Sequence, residues 1–130
     1  ALLSVPILWL GLRTAVRRRG DPDAPVARAR RAARRALRRD LAGAKTASEQ
    51  ARALQRFLAA RTGESPQAWV GRDPLAWTRA SATPRLSEEV AKSLRDITAR
   101  LDERAWARGD AAVDAAEIER TADAVMGGGL

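Results

Sequence analysis

Residues 86–106 read LSEEVAKSLRDITARLDERAW, and this stretch decides the fold class. Ser87 is placed to cap a helix, Glu88 and Glu89 fall in the first turn where the helix dipole favours negative charge, and Leu86 is available as a hydrophobic staple. Val90, Leu94, Ile97 and Leu101 then recur every three or four residues, the spacing of one helical face, while Lys92, Arg95, Asp96, Arg100 and Asp102 fall on the other. A helix with one apolar stripe must bury it against another element.

The flanking sequence supplies only helices as partners. Thr46-Ala47-Ser48-Glu49 has the spacing of a capping box, and Ala47, Ala51, Leu54, Phe57 and Leu58 follow at helical intervals up to a stop near Gly63. Pro66 suits the first turn of a short helix ended by Gly71, and Asp73-Pro74 opens another. After the Gly109-Asp110 break, the spacing from Asp114 to Glu117 starts a last helix carrying Ile118, Ala122 and Val125, which frays at the glycines of a flexible tail, 127–130. No useful length of β-alternation and no fixed-period repeat occurs. The expected fold is all-α: a small bundle of four or five short helices over residues 46–126. Its core is expected to contain Leu54, Phe57, Leu58, Trp69, Trp77, Val90, Leu94, Ile97, Leu101, Trp106 and Ile118.

That core is thin. The chain has 130 residues, and Ala supplies 29 of its apolar ones. In such a module the tryptophans are expected inside rather than in a binding cluster. With no His and no Cys, zinc sites of the Cys/His type, thiol nucleophiles, His-based triads and disulfides are excluded. No catalytic, cofactor-binding or metal-binding residue is assigned. Glu88 and Glu89 are adjacent carboxylates at a helix start, so they read as dipole partners rather than a general acid/base pair. Gly127-Gly128-Gly129 lacks the frame of a phosphate loop.

Charge is placed unevenly. The net charge is +8, yet residues 1–45 hold 12 basic and 3 acidic side chains, whereas residues 46–130 hold 12 basic and 13 acidic. Arginine outnumbers lysine 22 to 2, which reflects coding bias as readily as a ligand. Residues 26–45 form an expected basic amphipathic helix. Ala29, Ala32, Ala33, Ala36, Leu37 and Leu41 lie on one side, and Arg28, Arg30, Arg31, Arg34, Arg35, Arg38 and Arg39 on the other. Residues 20–25, with Gly20, Pro22 and Pro25, read as a short linker.

Residues 2–12, LLSVPILWLGL, carry no charge and are followed by Arg13, Arg17, Arg18 and Arg19. Eleven residues of helix cover roughly 17 Å, about half of a bilayer's hydrocarbon core. The charge order is the reverse of a secretory signal. Residues 1–19 therefore read as the last half of a transmembrane helix with Trp9 near the interface and a basic cytoplasmic stop; the competing reading is an amphipathic or disordered start of a soluble domain. The arginine-rich face then contacts anionic headgroups (through Arg13, Arg17, Arg18, Arg19, Arg31, Arg34, Arg35 and Arg38), binds an acidic protein partner as a packed neck, or binds nucleic acid. Nucleic acid is the least favoured, because no aromatic platform interleaves with the arginines and no recognition-helix motif stands out.

The order of membrane-helix end, Arg/Ala-rich helix, ALQRFLAARTG at 53–63 and SLRDITARLDERAW at 93–106 resembles the C-terminal end of the BatD-type oxygen-tolerance (aerotolerance) membrane proteins. The resemblance implies an upstream extracytoplasmic β-sandwich, a single pass through a bacterial inner membrane, and a cytoplasmic module beginning after about residue 20. It also implies partners, namely other membrane proteins with von Willebrand factor A domains and a MoxR-type AAA+ ATPase of an oxygen- or stress-tolerance assembly. It carries no catalytic residue to this chain.

Overall fold

The computed structural model describes residues 23–81 and 86–127. Over these residues the protein is all-α, with helices α1 (Asp23–Gly43), α2 (Ala47–Thr62), α3 (Pro74–Ala80), α4 (Glu88–Trp106) and α5 (Ala115–Gly127), and a 3-10 turn at Pro66–Trp69. No strand occurs among the described residues; one isolated bridge joins Thr46 and Ala111. The expected bundle is therefore present, with four α-helices and the 3-10 turn following the basic one.

Helix starts are set by the side chains that the spacing singled out. Thr46 Oγ1 accepts from the Glu49 amide at 3.2 Å, while the Glu49 carboxylate reaches one residue further back than in a standard box, accepting from the Lys45 amide at 2.9 Å. Asp73 Oδ1 accepts from the Leu75 amide at 2.9 Å, Ser87 Oγ from the Val90 amide at 3.2 Å, and Asp114 Oδ1 from the Ala116 amide at 3.0 Å. Helix α2 ends at Gly63, whose φ of 75° is the left-handed conformation that glycine adopts without a Cβ penalty.

The first turn of α2 is completed from a distance. In the turn after α4, Gly109 has φ 100° and Asp110 φ 46°, a conformation that Asp tolerates better than most residues. That turn presents the Asp110 carbonyl to the Ala47 amide at 3.2 Å and the Asp110 carboxylate to the amide and hydroxyl of Ser48 at 3.0 and 2.6 Å. Those bonds and the Thr46 cap satisfy the three leading amides of α2. One turn along, buried Gln50 donates through Nε2 to the Val113 carbonyl at 2.7 Å and accepts from the Val113 amide at 2.8 Å. A side-chain amide thereby pairs a loop backbone that has no helix to bond to.

Helix α2 packs against α1, the 3-10 turn and α4, while α4 also packs against α3 and α5, and α1 touches α5. The core contains Leu54, Phe57, Leu58, Trp69, Leu94, Ile97, Leu101 and Ile118 as expected, with Trp77 and Val90 partly buried against it. Trp106 is the correction: it is 90% exposed. The stripe continues from Leu101 to the half-buried Ala105, whereas Trp106 sits about 140° around the helix from Leu101.

A second correction concerns the boundaries. Helix α1 begins at Asp23, so Pro25 lies in its first turn rather than in a linker, where a missing amide proton costs little. Nor does the basic helix stand apart from residues 46–126, because Ala33, Leu37 and Leu41 belong to the common core. Residues 1–22 and 128–130, with the readings made for them, lie outside the described residues.

Leu37→Ala is expected to lower the unfolding free energy by about 2–5 kcal/mol in urea titration, the range for emptying a fully buried leucine site. A loss below about 0.5 kcal/mol, the size of an ordinary surface effect, would mean that α1 is not part of the folded unit.

Candidate interaction surface

The face that α1 presents to solvent follows from which of its apolar residues need burial. Leu37 and Leu41 gain roughly 1.5–3 kcal/mol each on leaving water, whereas an alanine gains far less. The buried stripe is therefore centred on Leu37, with Ala33 and Leu41, and Ala29 and Ala32 are left exposed. Relative to the alanine-centred face, the helix is turned by about 50° about its axis at 100° per residue. That rotation brings Arg34 to the edge of the interface, about 60° from Leu37, puts Arg30 on the inward side only about 20° from Leu37 and not on the outward face where the alanine-centred reading places it, and leaves Arg28, Arg31, Arg35, Arg38 and Arg39 outside, across about 100° of arc.

Helix α5 receives the arginine at the edge. Glu119 and Asp123 are four residues apart, hence on one helical face. Arg34 donates from Nε to Asp123 Oδ1 at 2.8 Å and from Nη1 to Glu119 Oε1 at 3.1 Å, and only 16% of its side chain remains exposed. Arg38 shares Glu119, donating from Nε at 3.1 Å, but is 74% exposed. The hydrogen bond that Arg34 donates to Asp123 is the main reason that the Arg34 pKa is raised, against the opposing effect of burial.

Of the eight arginines expected to form an external contact, Arg31 and Arg35 are exposed and make no ion pair with any described residue. Arg38 is outward but shared with Glu119. Arg34 is corrected to an internal role, because the turn of α1 about Leu37 points it at α5. Arg13, Arg17, Arg18 and Arg19 lie outside the described residues. Arg28 and Arg39 are exposed and likewise make no ion pair with the described residues, so the outward face extends beyond the four arginines first assigned to it.

Two further cations are held inside the bundle. Arg61, near the end of α2, is 7% exposed; its guanidinium lies 5.6 Å from the centre of the Phe57 ring, and Nε and Nη1 find no acceptor among the described residues. Burial, followed by the nearby charge of Arg30, lowers its pKa to about 10, so it stays protonated at neutral pH. Arg72 lies 4.6 Å from the centre of the Trp69 ring and 5.7 Å from that of Trp77, and donates from both Nη groups to Glu64 at 2.9 and 3.0 Å. The two tryptophans meet edge to face at 5.0 Å, and Trp69 Nε1 donates to Thr62 Oγ1 at 3.3 Å. This aromatic pair is filled by the chain's own arginine and serves packing.

Among the described residues no group of three or more Asp or Glu is placed to hold a metal ion, and no helix is long and apolar enough to cross a membrane. Comparison of the chain with protein-family models, with curated proteins and with solved structures finds no match.

The clasp between α1 and α5 has a pH signature. Hydrogen bonds from Arg38 and then Arg34 hold the Glu119 carboxyl below its ordinary 4.5, and a hydrogen bond from Arg34 holds that of Asp123 below 3.8. Both carboxyls are more acidic folded than unfolded. Their contribution is therefore fully present above those ordinary values and is lost as pH falls through the lower folded-state values. The double variant Glu119→Gln/Asp123→Asn should be less stable than the parent at about pH 7 and lose less on acidification to about pH 3. Parallel pH–stability curves for the two proteins would contradict the clasp.

Proposed function

We propose that the protein is a non-enzymatic, membrane-tethered interaction module whose helix α1 lies along an anionic bilayer surface. The observation that carries this reading is the outward row of Arg28, Arg31, Arg35 and Arg39, unpaired with described residues, on a helix whose opposite side is anchored in the core. A loose basic helix can turn its charges toward any neighbour. One pinned at Leu37 and clasped by α5 offers them in a single direction, as a flat anionic surface requires. Each basic residue close to such a surface contributes about 1 kcal/mol.

The sequence before α1 supports the same reading. The uncharged run at 2–12 is the tether, and Arg13, Arg17, Arg18 and Arg19 follow it as a cytoplasmic stop, as expected for a single pass through a bacterial inner membrane. Helices α2 to α5, close to neutral overall, form the body that meets other proteins. The resemblance of the sequence to the BatD-type proteins supports, as candidate partners, membrane proteins with von Willebrand factor A domains and a MoxR-type AAA+ ATPase of an oxygen- or stress-tolerance assembly.

Vesicle flotation of the full chain tests the surface contact. Co-flotation with phosphatidylglycerol-containing vesicles is expected to weaken as salt rises, and Arg31→Gln/Arg35→Gln should lower the partition coefficient roughly 30-fold, for about 2 kcal/mol lost. Recovery of the parent only in the lipid-free fraction, or equal partition of parent and variant, would overturn the reading. Salt-sensitive binding to duplex DNA without vesicle binding would replace it with the nucleic-acid alternative.

A further inference from the structure

We infer that the first turns of α1, residues 23–32, are a joint that unwinds from the bundle as far as Ala33, and that buried Arg61 is the residue that drives it open. Helix α1 is the longest of the three that meet at this end, with 21 residues against 16 in α2 and 13 in α5. Arg34 meets Asp123 and Arg38 meets Glu119, so each residue toward the start of α1 is matched by one toward the end of α5, and Gly127 comes level with Arg30. On the other side the Asp40–Arg56 pair sets the register with α2 and brings its last residue, Thr62, level with Arg34. The start of α1 therefore runs past the ends of both neighbours.

Burial follows this register. Residues 25 and 27–32 include no buried side chain, and Ala33 is the first residue of the helix in the core. A helix of about ten residues without a packed face is marginal in water. The segment is thus held mainly by its continuity with the anchored part, where Leu37 and Leu41 are buried and α5 clasps Arg34.

Arg61 lies at the root of that overhang, in the last turn of α2. It is buried, Nε and Nη1 have no acceptor among the described residues, and its contact is the face of Phe57. Burial and the charge of Arg30, itself on the overhanging segment, both disfavour the protonated form that neutral pH imposes. A buried cation without a counter-ion or a full set of hydrogen bonds is costly, and water is the cheapest remedy. Unwinding residues 23–32 admits that water and moves Arg30 away, at the expense of little apolar burial. Arg35 and Arg39 lie beyond the joint and keep their direction, whereas Arg28 and Arg31 move with the segment. The joint lets whatever precedes α1 reorient against the bundle without disturbing its core.

Amide hydrogen exchange of the full chain in a nonionic detergent tests this without lipid, so its outcome is independent of the membrane reading. In the parent, amides of 28–32 should exchange at least roughly tenfold faster than those of 37–41, after correction for intrinsic rates. Equal protection along the helix overturns the joint. Arg61→Met removes the charge and keeps an unbranched apolar chain; it should slow exchange at 28–32 roughly tenfold or more, because opening no longer hydrates a buried cation. Slowing confined to 37–41, with 28–32 unchanged, would show that Arg61 stays buried when the segment opens, and would overturn its role. A methionine variant less stable than the parent, or unfolded, overturns it as well, since the guanidinium would then be holding the bundle together.

Discussion

Leu37 sets the orientation on which the arginines of α1 depend. It is 1% exposed, on a helix with little else to bury beyond Ala33 and Leu41. Removing two leucines from water contributes roughly 3–6 kcal/mol, and the gain is realised only if α1 turns that side toward α2 and α5. Once it does, every other position on the helix is assigned. Arg34 meets Glu119 and Asp123, Arg30 approaches Arg61, and the remaining arginines face water. The external charge pattern is thus a consequence of apolar packing rather than of any attraction between the arginines and their surroundings.

A core built largely from alanine and a few leucines gives limited apolar area, and polar joints supplement it. The turn after α4 binds the start of α2 through Asp110 and Ser48, and Gln50 bonds both backbone groups of Val113. Buried bonds of this kind contribute about 1 kcal/mol net each, but leaving either partner unsatisfied costs more than making the bond contributes. They therefore fix the register of the 107–114 connection against α2 more than they deepen stability. The Trp69–Trp77 contact with Arg72 across it fastens the connection between α2 and α3 in a similar way, with cation–π attraction and a paired carboxylate in place of aliphatic bulk.

What could be read from the sequence divides along the same line. Caps at Thr46, Asp73, Ser87 and Asp114 act within three or four residues, so spacing alone places them, and Leu94, Ile97 and Leu101 recur regularly enough to name the buried face of α4. Asp110 and Gln50 have partners more than sixty residues away, and no local pattern announces such pairs. On α1, apolar spacing counted Ala29 and Ala32 equally with Leu37, although area decides burial, and the resulting error in the helix's rotation is what misplaced Arg34. Trp106 was misjudged by the reverse weighting: its large area argued for the interior, but its angle around α4 puts it on the far side from Leu101. The outward arginines Arg31 and Arg35 were recognisable, because their side of the helix holds no leucine.

The energetics of α1 tie its fold to its surface. Arg30 and Arg34, Arg31 and Arg35, Arg34 and Arg38, and Arg35 and Arg39 are like-charge pairs at a spacing of four. Each costs roughly 0.2–0.5 kcal/mol, so the helix carries about 1–2 kcal/mol of self-repulsion against the few kcal/mol supplied by Leu37 and Leu41. Glu119 and Asp123 relieve the pairs that involve Arg34 and Arg38. They do not reach Arg31, Arg35 or Arg39, where the repulsion persists until an external anion neutralises it. Any anion that binds this face stabilises the fold by the energy it relieves, and by linkage a folded helix binds the anion more tightly than a frayed one. The packing that aims the arginines outward therefore also sets how much of their mutual repulsion the fold itself must carry.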